Sequence, residues 1–133
     1  MDSTSDSKNT LPLLLRNLKK VFGKNIQGPI LLREREFQAT AKSVFIFDLT
    51  KFLSIRGVDK MVAIHAWKGN NEVKLAYHFV ARIGSEMLDS KISIVTFLSE
   101  DNKSIKSVKK IFSNAQVFEE EINKTYDVQF EEK

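Results

Sequence analysis

Apolar side chains near the start of the chain recur at the spacing of a helix. One helical face collects six of them: Leu11, Leu14, Leu15, Leu18, Val21 and Phe22. Thr10 is a suitable cap, and Pro12 fits the first turn because its missing N–H has no partner there. Gly23 follows the last apolar residue, where helices commonly end. The pattern predicts a helix up to Gly23, preceded by a disordered polar tail at residues 1–9.

The pattern becomes strand-like after the Gly-Pro pair that interrupts the chain. Residues 30–40 (ILLREREFQAT) and residues 43–47 (SVFIF) predict one strand each. Asp48 has the properties of a helix cap. The segment that follows it, LTKFLSIR, predicts a short helix that the next glycine ends.

The clearest local prediction is a β-hairpin. Two alternating runs, residues 60–67 and residues 72–82, flank KGNN, a four-residue segment typical of turns. A turn at this position pairs Trp67 with Glu72 across the hairpin. The alternation then assigns the side chains of the two strands to opposite faces of the sheet.

One face of the predicted hairpin is apolar and the other is mixed. The predicted core face carries Val62, Ile64, Ala66, Val73, Leu75, Tyr77 and Phe79. The half-exposed face carries Met61, Ala63, His65, Trp67, Lys74, Ala76, His78 and Arg82. We therefore expect Val62, Ile64, Leu75, Tyr77, Phe79, Ile92 and Ile94 to be buried, with both histidines on the opposite side of the sheet.

The remainder of the chain predicts one more strand and two helices. Residues 91–98 (KISIVTFL) have the pattern of a long strand, residues 99–112 that of a capped helix, and residues 114–127 that of a second helix. The element order is then α-β-β-α-β-β-β-α-α. This order predicts a single α+β domain over residues 10–133, a two-layer fold with an antiparallel-rich mixed sheet and helices packed on one face.

Composition and motifs exclude several kinds of chemistry. The chain has no cysteine, which rules out disulfides, thiolate nucleophiles and Cys-ligated zinc or iron–sulfur clusters. It contains no phosphate-loop, dinucleotide-binding or nucleophile-elbow motif. No apolar run approaches the roughly 18 residues of a membrane-spanning helix, and the polar start does not have the pattern of a signal peptide. We expect no catalytic residue and no bound cofactor.

The two histidines are the available imidazole ligands for a metal site. In the predicted register His78 lies near Met61, about four residues from His65, which separates the histidines by roughly 13 Å. No HxxxH or HxxE spacing is present that would supply another ligand pair. The sequence therefore predicts ordinary sheet histidines and no metal site.

A formal net charge of +4 keeps a free-standing nucleic-acid-binding α+β domain as the alternative function. The charges are spread along the chain, with no run of five like charges. An RNA-recognition sheet also needs exposed aromatic residues within a glycine-containing strand motif. Tyr77 and Phe79 fall on the predicted core face, and KLAYHFVAR contains no glycine. We therefore predict no nucleic-acid partner.

The predicted C-terminal helix combines an apolar stripe with three consecutive glutamates. Phe118, Ile122 and Tyr126 lie at i, i+4 and i+8, so they share one face. The glutamates at residues 119–121 point about 100° apart and cannot converge on one ion or one proton. This combination favours a surface that contacts a partner over a catalytic site.

Three segments of residues 48–132 match the pattern of a known family. These are the helix-then-strand segment FLSIRGVDKMVAI, the Tyr77-His78 pair in KLAYHF, and an ungapped match to S-V-x-x-I-W-P-x-A-N-W-x-E-R-E-x-x-D-x-F-G-I-x-F-x-G. Identical positions in the last stretch are Ser107, Val108, Ile111, Ala115, Glu119, Glu121 and Phe130, with an aliphatic exchange at Val128 and aromatic exchanges at Phe112 and Tyr126. The differing positions are Ser113, Gln116, Val117, Glu120, Lys124, Asp127 and Glu132. The chain resembles the 30 kDa subunit family of respiratory complex I (NADH-quinone oxidoreductase), which includes related proteins of energy-converting hydrogenases.

The resemblance implies a non-catalytic subunit without a cofactor. Such a subunit docks beside the large catalytic subunit, near the iron–sulfur small subunit, in the peripheral arm that couples electron transfer to ion translocation. It implies a cytoplasmic protein that reaches the inner face of the membrane only through the complex. We predict that residues 115–130 form the docking element. The predicted partner-binding residues are Phe118, Glu119, Glu121, Ile122, Tyr126 and Phe130, with both glutamates exposed at the rim, where arginines of the partner can bind them.

Overall fold

The computed structural model describes residues 11–83 and 88–132. In chain order the elements are α1 (Leu13–Phe22), β1 (Ile26–Arg33), β2 (Glu36–Ala41), α2 (Ile46–Ile55), β3 (Lys60–Lys68), β4 (Glu72–Ile83), β5 (Leu88–Ser99), β6 (Ser104–Lys106), α3 (Ala115–Tyr126) and β7 (Gln129–Glu131). The predicted tail and the predicted cap Thr10 lie outside the described residues. Within them, no helix is long and apolar enough to cross a membrane.

A five-stranded sheet in the order β1-β2-β5-β4-β3 forms one layer of the fold. Strands β2 and β5 are parallel, and the other neighbouring pairs are antiparallel. Strands β6 and β7 form a separate parallel pair. The helices pack on one face of the large sheet, which confirms the predicted α+β class. Strand β3 is at one edge of this sheet, and α3 packs against it.

The core lies between the sheet and the helices. It combines Leu15 and Leu18 of α1, Leu49 and Leu53 of α2, and Ile122 of α3 with the inward side chains of the central strands. Those inward side chains are Val73, Leu75, Tyr77 and Phe79 on β4, and Ile92, Ile94 and Leu98 on β5. Along each strand every second side chain packs against the helices, as the apolar pattern predicted.

The β-hairpin is confirmed, but its register is shifted by two residues. Trp67 stands opposite Lys74, not Glu72, because Gly69 donates its N–H to the Glu72 carbonyl and shortens the turn from the predicted four residues to Asn70 and Asn71. Asn71 takes the left-handed conformation (φ 64°) in this turn, which asparagine tolerates. A shift of two residues leaves each side chain on its own face of the sheet.

A β-bulge reverses the predicted burial at the start of β3. The register is irregular between Met61 and Ala63, so one residue of β3 has no direct partner on β4. Upstream of the bulge Met61 points into the core, whereas Val62 is 47% exposed. The predicted burial of Val62 is therefore wrong. The other six residues of that prediction are buried: Ile64, Leu75, Tyr77, Phe79, Ile92 and Ile94.

Two segments near the first strands differ from the prediction. Residues 30–40 do not form one strand, because a turn at residues 34–35 divides them between β1 and β2, with Arg35 in the left-handed conformation. Residues 43–47 are helical instead of extended. Ile46, Leu49 and Leu53 of α2 are buried at helical spacing, so Asp48 lies in the first turn and does not cap the helix.

The predicted helix over residues 99–112 is also wrong. Residues Ser104–Lys106 form β6, which pairs with β7 some twenty-five positions later in the chain. Backbone bonds from Ser107 N–H to Glu131 O (2.6 Å) and from Gln129 N–H to Lys103 O (2.7 Å) extend this pairing. A strand partner this distant in sequence leaves no local signal in the residues themselves. The helix predicted at residues 114–127 is confirmed as α3.

Candidate docking site

Helix α3 is held at both ends by side chains and backbone groups. Asn114, just before the helix, donates from Nδ2 to the carbonyl of Met61 in β3 (2.9 Å). After the last turn Asp127 is left-handed (φ 59°) and donates its N–H to the Asn123 carbonyl. Asn123 in turn donates from Nδ2 to the Val128 carbonyl (2.8 Å). The bond from Asn114 fixes the start of α3 beside the edge strand β3, and the other two bonds close its last turn.

Glu119 is inside the protein, and its predicted position at an exposed rim is wrong. Its side chain is 4% exposed. Oε1 accepts a hydrogen bond from Ser107 Oγ (2.6 Å), and Oε2 accepts one from the Val108 N–H (2.9 Å). Burial raises the pKa of Glu119, although these two bonds and Lys109 act to lower it. A carboxylate with such partners joins α3 to the preceding segment, and it is not available to another protein.

The other predicted docking residues are divided between the two sides of α3. Phe118 and Tyr126 are half-buried, and Ile122 is 5% exposed, so the apolar stripe packs partly on the sheet of this protein. Glu121 is exposed. Phe130 is half-buried on β7 and faces the side of α3 that is away from β3. The docking role of these residues stays a prediction.

A groove of about 500 Å³ lies on the surface along the junction of α3 and the edge strand β3. This α3–β3 groove is lined by Ile64, His65, Ala66, Trp67, Phe118, Glu121, Ile122, Thr125 and Tyr126. It unites four predicted docking residues with His65 and Trp67, which the sequence placed on the far face of the hairpin. Those two residues reach the groove because β3 is an edge strand, a property that depends on the order of the strands.

The opposite side of α3 is polar. A groove of about 340 Å³ there is lined by Lys109, Gln116, Glu119, Glu120, Asn123, Lys124, Gln129, Phe130 and Glu132. An ion pair between Lys109 Nζ and Glu132 Oε2 (2.6 Å) raises the pKa of Lys109 and lowers that of Glu132. Glu120 accepts a hydrogen bond from Gln116 (3.0 Å). Because these groups already bond to one another, this groove is the weaker candidate for binding a partner.

The two histidines are neighbours, and the predicted separation of roughly 13 Å is wrong. Their ring centroids are 4.8 Å apart, because the shifted register puts His78 opposite Ala63, diagonal to His65. His78 Nδ1 lies 2.8 Å from Ser93 Oγ, and its Nε2 is buried without a partner among the described residues. In residues 11–83 and 88–132, no group of three or more His, Asp or Glu side chains could hold a metal ion.

His78 is expected to make the fold sensitive to acid. Burial lowers its pKa from the ordinary value of 6.5 to about 4, and His65 and Lys91 act in the same direction. The folded state therefore favours the neutral ring. The stability from this preference is complete above pH 6.5 and is lost as the pH falls from 6.5 to 4.

Two measurements check the titration of His78. An NMR titration of its ring protons is expected to give a midpoint near pH 4. In His78→Asn, whose amide can replace the contact with Ser93, the free energy of unfolding should fall less steeply between pH 6.5 and 4. A midpoint near 6.5 would contradict the prediction.

Many solved chains share this fold, and two of them are compared below. A chain of the structure described as the membrane-bound sulfane sulfur reductase (MBS), an archaeal respiratory membrane complex, matches with a TM-score of 0.72 and 21% identity over 87% of this chain and 69% of that chain. The trypsin-resistant fragment of Nqo5 matches with a TM-score of 0.69 and 15% identity over 87% of this chain and 93% of that chain. A search of curated protein sequences found no significant match.

The class of protein follows from the architecture, and the family follows from the sequence. The fold is an α+β domain of the type found in an archaeal respiratory membrane complex and in Nqo5. The family model described as "Respiratory-chain NADH dehydrogenase, 30 Kd subunit" matches residues 32–133. The chain belongs to this family. Three residues that match the family pattern, Ser107, Val108 and Glu119, form the buried hydrogen-bonded cluster that anchors α3.

Proposed function

We propose that this protein is a cofactor-free, non-catalytic subunit of a complex-I-like respiratory complex, and that it docks on a partner subunit through the α3–β3 groove. The proposed partners are the large catalytic subunit and the iron–sulfur small subunit of the peripheral arm. The protein then reaches the cytoplasmic face of the membrane indirectly, through the complex. Family membership supports the assignment to such a complex, and the groove is the observation that supports docking.

The α3–β3 groove has the composition of a docking surface. Three aromatic side chains, Trp67, Phe118 and Tyr126, line it and remain partly exposed. Aromatic residues are enriched at the centres of protein interfaces, where they combine a large contact area with little loss of conformational entropy. Glu121 lies at the rim, is exposed, and forms no ion pair within the described part of the chain. An arginine of the partner is a suitable counter-ion for it.

Titratable groups with shifted pKa values have structural explanations in the described residues. The pKa of Glu100 is lowered by its bond to Lys68 and, secondarily, by Lys103. The Tyr77 hydroxyl has a raised pKa because it is fully buried, where no substrate can reach it. Lys109, Glu119 and Glu132 also have shifted pKa values and line the polar groove, but Lys109 and Glu132 are paired with each other and Glu119 is bonded to Ser107 and Val108. Because burial and these partners account for the shifts, the shifts support a non-catalytic role. Neither the family nor the structural matches support the nucleic-acid-binding alternative.

Replacing Glu121 with arginine is expected to weaken assembly at least about tenfold. The substitution places a positive charge opposite the proposed arginines of the partner. Loss of a charged pair at an interface costs roughly 2–5 kcal/mol, and about 1.4 kcal/mol corresponds to a tenfold change in affinity. The measurement is the amount of large subunit that co-purifies with the tagged full chain from detergent-solubilised membranes. Thermal unfolding of the isolated chain should be nearly unchanged, since Glu121 is exposed.

Glu120→Arg is the matched control. It makes the same charge change one residue away, on the polar side of α3, and should leave assembly near the wild-type level. If Glu121→Arg and Glu120→Arg assembled to the same extent, whether both normally or both poorly, the proposal that the groove is the docking site would be rejected.

A further inference from the structure

We propose that the sheet face opposite the core is a second docking surface, which binds an acidic segment of a partner subunit. This open face carries His65, Trp67, Lys74, His78, Lys91 and Phe97. The identification of the partner as a subunit of a respiratory complex rests on the proposed function. The preference for an acidic segment rests on the residues of the open face alone.

Three side chains form a row across the open face. Trp67 on β3 stands opposite Lys74 on β4, and Lys74 stands opposite Phe97 on β5. Trp67 is 46% exposed and Phe97 is 43% exposed. A single exposed apolar side chain is common, but two aromatic residues flanking one lysine form a patch, and patches of this kind mark interaction sites. A partner that covers the row removes aromatic surface from water.

Small side chains form the floor beside this row. Ala76 of β4 and Val95 of β5 are paired in register, and they are 3% and 4% exposed. Ser93, two positions before Val95 on the same face, is 6% exposed. None of the three belongs to the core cluster under the helices. Because these three side chains are almost inaccessible, a partner that lies along the strands contacts the more exposed Trp67 and Phe97 beside them.

Lys74 has no carboxylate partner among the described residues. Its Nζ lies 5.0 Å from the centroid of the Trp67 ring, a cation–π contact that holds the ammonium group in place. Lys91 also forms no ion pair within the part of the chain that the structure describes. His65 and Lys91 both contribute to the lowered pKa of His78. Glu36 of β2 stands opposite Lys91 but is paired with Arg33 (3.4 Å). Among the described residues, unpaired cations therefore outnumber unpaired carboxylates at the centre of the open face.

Most other charges of the open face are already paired. Arg82 bonds Asp89 (3.3 Å), and Arg33 bonds Glu36 (3.4 Å). Glu72, at the turn end of the face, is a half-buried carboxylate that forms no ion pair within the described ranges. Lys74 and Lys91, with Lys60 at the edge of the face, thus remain among the described residues as cations whose counter-ions a partner can supply. A segment with Asp or Glu side chains next to apolar ones matches this arrangement.

An acidic protein segment fits the surface better than nucleic acid does. Nucleic-acid affinity depends on many phosphate contacts, and three unpaired lysines can neutralise few phosphates. Base stacking needs a free aromatic face, whereas one face of the Trp67 ring is in a cation–π contact with the ammonium group of Lys74. Both features favour carboxylates that approach Lys74 with the aromatic rings at their sides.

Photo-cross-linking in the assembled complex tests whether the open face is covered. A photoreactive phenylalanine analogue replaces Phe97 in one preparation, and in the control it replaces Val44, which is 75% exposed outside the sheet. We expect the analogue at position 97 to cross-link to another subunit, at a peptide that contains Asp or Glu, and the analogue at position 44 not to reach that peptide. Cross-linking of position 97 to a second copy of this chain, or to no other chain, would overturn the proposal.

Charge reversal tests the chemistry of the contact. Lys74→Glu is expected to reduce co-purification of the partner at least about tenfold and to leave thermal unfolding of the isolated chain nearly unchanged. Lys74→Arg should keep assembly because it keeps the charge. Lys51→Glu, a matched reversal of an exposed lysine on α2, should assemble normally. Normal assembly of Lys74→Glu would reject the open face.

The two docking surfaces share His65 and Trp67, but each proposal rests on a different charged residue, so the two can be tested separately. Loss of assembly with Lys74→Glu but not with Glu121→Arg supports the open face and rejects the groove, and the reverse result rejects the open face. The nucleic-acid outcome is read from the fluorescence of Trp67, the single tryptophan of the chain. Micromolar, salt-sensitive binding of a single-stranded oligonucleotide to the full chain, abolished by Lys74→Glu, would overturn the acidic-segment proposal.

Discussion

Phe79→Ala is expected to lower the free energy of unfolding by about 3–5 kcal/mol, the range for removing a buried aromatic ring. Phe79 is fully buried on β4, and its ring centroid lies 5.7 Å from that of Phe112, which precedes α3. The substitution therefore leaves a cavity where the sheet meets the segment that supports α3. Chemical denaturation monitored by circular dichroism measures the change.

Phe97→Ala is the matched control for this change. Phe97 is on the neighbouring strand but on the open face, 43% exposed, so its removal should cost less than about 1 kcal/mol. On our proposal it should instead weaken assembly. Similar losses of stability in the two variants would contradict the assignment of the two faces of the sheet.

Glu119→Ala is expected to destabilise the folded protein by about 3 kcal/mol. The substitution removes the acceptor of the Ser107 hydroxyl and of the Val108 N–H, and it leaves that N–H unpaired in a buried place. Both bonds hold α3 against the segment before it, so loss of the carboxylate should also loosen the docking groove. Thermal and denaturant unfolding of the isolated chain measure the effect.

Neighbouring glutamates provide the controls for Glu119. Glu120→Ala and Glu121→Ala remove exposed carboxylates and should change stability by less than about 0.5 kcal/mol. Glu119→Gln should lose less than the alanine variant, because its amide oxygen can still accept from Val108 and its amide nitrogen can donate to Ser107. If Glu119→Ala behaved like Glu120→Ala, the carboxylate would not be an internal anchor.

Local patterns were sufficient for the long elements of the fold. The hairpin of β3 and β4, the strand β5 and the helix α3 each contain enough alternating or helically spaced apolar residues to identify them without their neighbours. The predicted core followed from the same alternation. It failed at Met61 and Val62, where a bulge inserts one residue and reverses the faces.

Short segments could not be assigned in this way. Residues 43–47 are apolar at nearly every position, a pattern that suits a buried strand or a buried helix equally, and packing on the core selects the helix α2. Residues Ser104–Lys106 became a strand because β7, far along the chain, pairs with them. Neither outcome is encoded in the spacing of the residues concerned.

The candidate site shows the same division. The stripe of Phe118, Ile122 and Tyr126 was visible in the sequence, because helical spacing is a local property. The interior position of Glu119 was not, since it depends on hydrogen bonds from Ser107 and Val108, which only the folded chain brings to it. A charged residue is expected outside until such partners are known.

The sequence by itself determined the α+β class, the hairpin, α3 and the family resemblance, because each depends on neighbouring residues or on a contiguous motif. Only the tertiary structure decided which side chains meet. It placed His65 beside His78, Trp67 and Phe97 on either side of Lys74, and α3 beside the edge strand β3. These contacts depend on strand register and strand order, which one turn residue or one bulge can shift without altering the local pattern.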